Sequence, residues 1–229
     1  MMNLLDRNAT IGSVVAELPQ ATDIFKDFNI DFCCGGHRKL ADVIAEQGIN
    51  ETEIYERIRL AQEVRKSEYE SNKNFNEMNS LALSSYIEDT HHSYLRRALP
   101  DIAEILNTIL RVHGKNHMEL FEVYRLFGGL KTDLEQHLLK EETMLFPALY
   151  QDYKNQHEIL HLSSDIIGEH EAAGKILEKL RTATNDYKVP DDACGTYERA
   201  YAMLEELEKD LHQHIHLENN ILLKDYDPR

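Results

Sequence analysis

The sequence predicts an all-α protein, a four-helix bundle preceded by a small helical N-terminal module. Two observations carry this reading. First, His137-Leu-Leu-Lys-Glu141 has an echo in His214-Ile-His-Leu-Glu218, and both set a histidine and a glutamate four residues apart. Residues at that separation are neighbours on one helix face, so each pair offers an imidazole nitrogen and a carboxylate to one point, as a transition metal accepts. Second, His92 lies 45 positions before His137, and His170 lies 44 before His214. The order His, long gap, His-x-x-x-Glu therefore occurs twice. Self-similarity at a fixed spacing marks a duplicated unit, and two helix pairs make a four-helix bundle with a ligand on every helix.

Composition bounds the class. A chain of 229 residues with 42% hydrophobic content holds one ordinary domain and a small extra one. Its formal charge of −16 sets it against nucleic acid and anionic membrane surfaces, both polyanions. Met1 to Val15 lacks the basic start and apolar core of a signal peptide, and no apolar run reaches the length of a membrane span. A cytoplasmic protein is expected. Three cysteines, Cys33, Cys34 and Cys194, are too few for a secreted disulfide framework.

Taken in order, residues 1–65 read as short helices. Thr10 caps the first, which Pro19 closes; a second runs over Ala21 to Phe28; a third covers Lys39 to Gln47, with Gly48 as its stop; Asn50 and Glu53 cap a fourth carrying Ile54, Ile58 and Leu60. Residues 66–80 are polar and rich in Asn and Ser, which marks a linker. The bundle follows over 81–229, with helices at about 81–111, 115–150, 157–184 and 191–224. Pro100 predicts a kink or break in the first of these.

Helical phase selects the ligands. His92 shares a stripe with Leu95, Leu99, Ile102 and Leu106, while His91 points elsewhere. His137 follows Leu130 and Leu134 and precedes Glu141; Glu142 falls off that face. His170 sits among Ile166, Ile167, Ala173 and Leu177, and His214 among Leu204, Leu207 and Leu211, with Glu218 one turn on. A single histidine on an apolar face is ordinarily a hydrogen-bonded core residue. Four of them with two inward carboxylates are different, because a buried, unpaired carboxylate costs several kcal/mol or must be protonated. No Lys or Arg shares these stripes near Glu141 or Glu218, and a bound metal supplies the missing charge. The remaining pairs are decoys. His113 and His117 bracket a polar connection as solvated loop residues, and His157, His161, His212 and His216 miss the ligand faces and are expected at the surface.

Adjacent Cys33 and Cys34 do not readily bond to one another, since their α-carbons lie about 3.8 Å apart, below the disulfide window. Gly35 and Gly36 after them permit positive φ and close approach to another surface. Packing is one reading of this pair; exposed thiols that bind metal or exchange electrons are the other. Cys194 reads as structural.

Asp31-Phe32-Cys33-Cys34-Gly35-Gly36 in a small N-terminal module, followed by His92, His137-x-x-x-Glu141, Gly168-Glu169-His170-Glu171 and His214-x-x-x-Glu218-Asn219-Asn220, resembles the iron–sulfur cluster repair di-iron proteins, the repair-of-iron-centres or ScdA family, whose bundle is haemerythrin-like. The resemblance spans nearly the whole chain. It implies two non-haem iron ions bridged by Glu141 and Glu218, with His92, His137, His170 and His214 completing them and positions left for an oxo bridge or a small molecule such as NO or O2. It also implies a homodimer that restores iron–sulfur proteins damaged by nitric oxide or peroxide, with Cys33 and Cys34 passing iron or NO. Glu169 and Asp133 match acidic positions near the site in relatives. One departure is Leu223-Lys224, where many relatives have Phe-Pro. Ligand type alone also admits zinc or manganese. Two further functions share the bundle motif: an enzyme reducing NO to nitrous oxide at the two irons, and a sensor or store of O2 or NO.

Overall fold

The computed structural model describes residues 6, 8–67, 75–150 and 155–227. Ten α-helices and no strand appear among them. None is long and apolar enough to cross a membrane. The chain divides into two compact units: Met1–Asn79 together with Ile215–Arg229, and Ser80–His214. Ile215–Arg229, which the sequence reading places in the bundle, thus clusters with the N-terminal helices. Of the linker expected at 66–80, residues 68–74 lie outside the described residues.

In the first unit, α1 (Ile11–Glu17) begins at Thr10, whose hydroxyl accepts the Ser13 N–H at 3.2 Å. After α2 (Ala21–Asp27), α3 (Leu40–Gln47) stops at Gly48, which adopts φ 65°. Only a residue without Cβ takes that left-handed cap at no cost. The Asn50 carboxamide oxygen accepts the N–H groups of Thr52 and Glu53 to start α4 (Glu51–Ser67). Val14, Val15, Phe25, Val43, Ile54 and Ile58 form a core that Ile215 joins. Leu60, expected on the buried face of α4, is exposed.

The second unit contains α5 (Ser80–Ile87), α6 (Ser93–His113), α7 (Glu119–Lys140), α8 (Phe146–Leu149), α9 (Gln156–Ala183) and α10 (Gly195–Leu217) up to His214. α7 packs against both α6 and α9. Leu95, Leu99, Phe127, Leu130, Leu177, Tyr201 and Leu204 belong to one apolar core, the buried stripes that the three-and-four spacing predicts. Arg181 of α9 bonds the buried Glu208 of α10 at 2.6 Å. Pro100 does not break its helix: α6 runs through it from Ser93 to His113. The irregularities lie elsewhere. π turns at Glu88–His92 and Glu141–Leu145 join α5 to α6 and α7 to α8, and a third at Glu218–Leu222 ends α10. A π turn adds one residue to the helix and is a frequent companion of functional sites.

Candidate metal centre

Each π turn begins or ends on a residue singled out for metal binding: His92 ends the first, Glu141 begins the second and Glu218 begins the third. His170 comes from the uninterrupted α9. Within the bundle, four imidazoles and Glu141 converge. His92 Nε2 lies 3.2 Å from His214 Nε2 and 3.3 Å from Glu141 Oε2. His137 Nε2 lies 3.1 Å from His170 Nε2 and 3.3 Å from the same carboxylate oxygen. His170 Nε2 stands 4.0 Å from Glu141 Oε1. The ligand atoms of His92, Glu141 and His214 lie within 4.8 Å of one another, as do those of His137, Glu141 and His170. Glu141 belongs to both groups and is fully buried. Glu218 is fully buried one turn past His214 on the same continuous helical segment.

The outer side of the imidazoles shows which nitrogen is basic. His92 Nδ1 lies 2.7 Å from Glu142 Oε1, and Arg96 bonds that same carboxylate at 2.6 Å. His137 Nδ1 lies 2.8 Å from Glu169 Oε2, and Lys140 pairs with the other oxygen of Glu169. A carboxylate only accepts, so each ring presents a protonated Nδ1 to its outer carboxylate and turns Nε2 inward. Burial pushes the Glu142 carboxyl up, but its bonds from His92 and Arg96 outweigh burial and hold it below the usual range. The His137 bond, followed by the Lys140 bond, holds Glu169 down at about 2 against burial. Each ring is thus oriented by an ionised outer carboxylate, the arrangement that metal-ligating histidines adopt.

This donor set fits a metal. Inward imidazole nitrogens and a buried carboxylate could all serve as donors to a cation among them. Imidazole and carboxylate together suit iron, zinc or manganese.

Other expected residues fall differently. Asp133 is exposed and forms no hydrogen bond or ion pair among the described residues, whereas Glu169 bonds a ligand ring. Glu142 escaped the sequence reading because helical phase turns it away from its own helix's inward stripe; it serves a histidine of the neighbouring helix. His91 is not among the grouped ligands yet is buried, with Nδ1 2.9 Å from Asp210 and its ring stacked on His214 at 5.4 Å. His216, expected at the surface, is buried beside Phe32, and burial lowers its pKa to about 4. Phe32 is distant in sequence, so periodicity held no signal for it. His157 and His161 are exposed. His113 and His117 flank a turn, as expected, but each has a partner: His113 meets Cys194, and His117 meets Glu119 and Asp192.

The cysteine turn lies in the first unit. Cys33 and Cys34 are only 4% and 9% exposed, which corrects the reading of exposed thiols. Their sulfurs stand 3.8 Å apart, and Cys33 Sγ lies 3.2 Å from Asp31 Oδ1. The Cys34 thiol as hydrogen-bond partner, then burial, then the Asp31 charge push the Cys33 thiol well up. Asp31, Cys33 and Cys34 also form a group of metal-ligating type. Among the described residues, Gly48 is the only glycine with positive φ. Gly35 and Gly36 therefore serve close approach: a Cβ on Gly35 would stand 2.7 Å from the Asp31 carbonyl oxygen, and one on Gly36 would overlap the Asn220 carboxamide. Cys194, read as structural, is exposed at the start of α10, 3.2 Å from His113 Nε2. The Tyr197 N–H, then His113, lowers its pKa to about 7.

Residues 7–62 match the ScdA N-terminal domain, described as a domain of unknown function, and residues 84–226 match the haemerythrin HHE cation-binding domain. The chain is 29% identical to the iron–sulfur cluster repair protein ScdA of Staphylococcus epidermidis, over 96% of this chain and 99% of that one. It is 32% identical to the iron–sulfur cluster repair protein YtfE of Musicola paradisiaca, over 94% and 95%. A probable iron–sulfur cluster repair protein of Haemophilus influenzae is 29% identical over 93% of both. The chain therefore belongs to the family of iron–sulfur cluster repair proteins that join an ScdA N-terminal domain to a haemerythrin-type cation-binding bundle.

Proposed function

We propose that this protein repairs iron–sulfur clusters damaged by nitrosative or oxidative stress, using two iron ions held in its bundle. His92 and His214 serve one iron and His137 and His170 the other, with Glu141 and Glu218 shared by both. The observation that carries the reading is Glu141, wholly buried with an imidazole Nε2 at 3.3 Å from each of the two histidine pairs. A carboxylate so placed would be within reach of a metal ion held by either histidine pair. Bound iron supplies a one-electron couple and a releasable metal ion.

The chain's own residues do the rest. Glu142 and Glu169 hold the Nδ1 protons of His92 and His137 and keep both Nε2 lone pairs inward. Arg96 and Lys140 keep those outer carboxylates ionised. Leu95, Leu134 and Leu138 are buried with the ligands and exclude water, which strengthens every charge interaction inside. Cys33 and Cys34 receive or hand on iron or NO, after the turn that buries them opens. The clients are iron–sulfur proteins. The reading carries with it a homodimer acting in the cytoplasm.

Two measurements test it. Elemental analysis with an absorption spectrum is expected to find two irons per chain in the wild type and none in His137→Ala, Glu141→Ala. A [4Fe–4S] enzyme inactivated by NO is expected to recover activity with the wild type and to stay inactive with that variant. An iron-loaded protein that restores no activity to several such enzymes would remove the repair role.

A further inference from the structure

The Cys33–Cys34 turn is held from two sides. On one, the Asp31 carboxylate accepts the N–H groups of Cys33 at 3.0 Å, Cys34 at 2.9 Å and Gly35 at 2.9 Å, so the turn's shape is set within its own residues. On the other, it is fastened to a distant part of the chain. Asn220 Nδ2 donates to the Phe32 and Cys33 carbonyls, each at 3.3 Å, and lies 3.1 Å from His216 Nδ1; Asn219 Nδ2 donates to the Cys33 carbonyl at 3.4 Å. The Asn220 carboxamide is wedged between two glycines. A Cβ on Gly12 or on Gly36 would overlap it, and the Gly12 N–H bonds the Gly36 carbonyl at 2.8 Å. All of these residues belong to one compact unit.

Two consequences follow from position. The carbonyls that Asn219 and Asn220 hold flank or belong to Cys33, so releasing them frees the turn while Asp31 keeps its internal shape. Asn220 also lies on the π turn Glu218–Leu222, two residues after Glu218. A cleft of about 520 Å3, lined by Asn8, Ser13, His37, Asn219, Asn220 and Lys224 among others, opens onto the fastening and gives solvent and small reagents a route to it.

We propose that Asn220 is a positioning residue that latches the Cys33–Cys34 thiols shut, and that its place on the Glu218 turn makes thiol access depend on metal occupancy. The second half rests on the reading of Glu218 as an iron ligand; the first does not. With iron bound, Glu218 is held and the latch stays closed. With iron given up, the turn that carries Asn220 loosens and the thiols open, ready to take up or pass on a metal ion.

The test measures reaction of Ellman's reagent with the full-length chain in a Cys194→Ser background, where only Cys33 and Cys34 report. Asn220→Ala is expected to speed that reaction about tenfold, the order of one buried hydrogen bond lost, with an unchanged helical circular dichroism spectrum. Should Asn220→Ala lose helix, Asn220→Asp decides, since it keeps the volume, removes the donors and sets a carboxylate against the two carbonyls. Gly36→Ala is expected to match Asn220→Ala, and the two together are expected to add nothing, which a general loosening of the unit would not reproduce. Removing iron is expected to speed the reaction in the parent and leave Asn220→Ala unchanged. Folded Asn220→Ala and Asn220→Asp reacting at the parental rate would overturn the latch. Equal rates with and without iron in the parent would overturn its link to Glu218. A chain that takes up no iron removes the reading of the metal centre, and the Asn220 variants still decide the latch. A Cys33→Ser, Cys34→Ser variant that repairs clusters normally removes the thiol role and leaves the latch rates standing.

Discussion

The bundle and the N-terminal unit both bury reactive groups, by opposite means. In the bundle, two of the four buried imidazoles are oriented by ionised carboxylates, and Glu141 sits among the rings; the cations Arg96 and Lys140 stand farther out, on Glu142 and Glu169. That interior is prepared for a positive charge from outside the polypeptide. In the N-terminal unit, Cys33 is buried beside the Cys34 thiol and the Asp31 carboxylate and its thiol is pushed up, so it stays protonated and needs no counter-charge. The difference teaches that burial by itself does not mark a metal centre. What marks it is burial together with convergence on a shared carboxylate and outer partners that orient two of the rings.

The largest effect that could break this comparison comes from removing the shared carboxylate. Glu141→Ala is expected to abolish iron uptake at both positions, while Cys33→Ser, Cys34→Ser leaves two irons per chain; elemental analysis of both proteins reads the outcome. If the cysteine variant lost the iron as well, the two regions would be one site.

Thiol chemistry sharpens the comparison next. Cys194 has its pKa lowered to about 7, so its reactive thiolate is present above that pH and lost as pH falls through it, whereas Cys33 is raised well above 9 and stays a thiol. At pH 7.5, alkylation followed by mass spectrometry is expected to label Cys194 about 100-fold faster than Cys33, because only thiolates react and each pKa unit removes up to tenfold of them. His113→Ala is expected to shift the Cys194 profile to higher pH. Equal labelling of Cys194 and Cys33 would contradict the buried, protonated state of the turn.

Glu142→Gln and Glu169→Gln come third. Each keeps a hydrogen-bond acceptor for Nδ1 and removes its charge, and each is expected to weaken iron affinity about 10- to 100-fold with both irons still bound at saturation. A competition titration with a chelator measures this, and Asp133→Asn, at an exposed position, is expected to change nothing. The smallest effect is local: Thr10→Ala removes the cap of α1 and is expected to cost about 1 kcal/mol in urea denaturation of the N-terminal unit, with iron content unchanged.

What could be read in advance divides along the same line. The local devices were legible because their cause is local: the Thr10 cap, the Gly48 stop and the Asn50 cap each act within three residues. Helical periodicity also selected His92, His137, Glu141, His170 and His214, the side chains that the structure brings together, because an inward stripe repeats every three or four residues whatever it packs against. Of the kink or break that Pro100 predicts, the break is absent, since α6 runs through it, and the π turns at the ligands are invisible to a fixed angle per residue. Glu142 was discarded because it faces away from its own helix's stripe, and only the approach of α6 puts His92 within its reach. His216 looked exposed for the same kind of reason, its cover coming from Phe32 in another part of the chain.

The sequence by itself determined the helical class, the duplicated His-x-x-x-Glu pattern and a set of inward donors that demand a cation, since these depend on spacing along one helix. Tertiary structure alone decided the rest: which outer carboxylate holds which ring, that the cysteine pair is buried, and that Asn220 reaches back between Gly12 and Gly36 to hold it. Such contacts join residues 32 to 208 positions apart, and a periodicity confined to one helix carries no record of what folds against it.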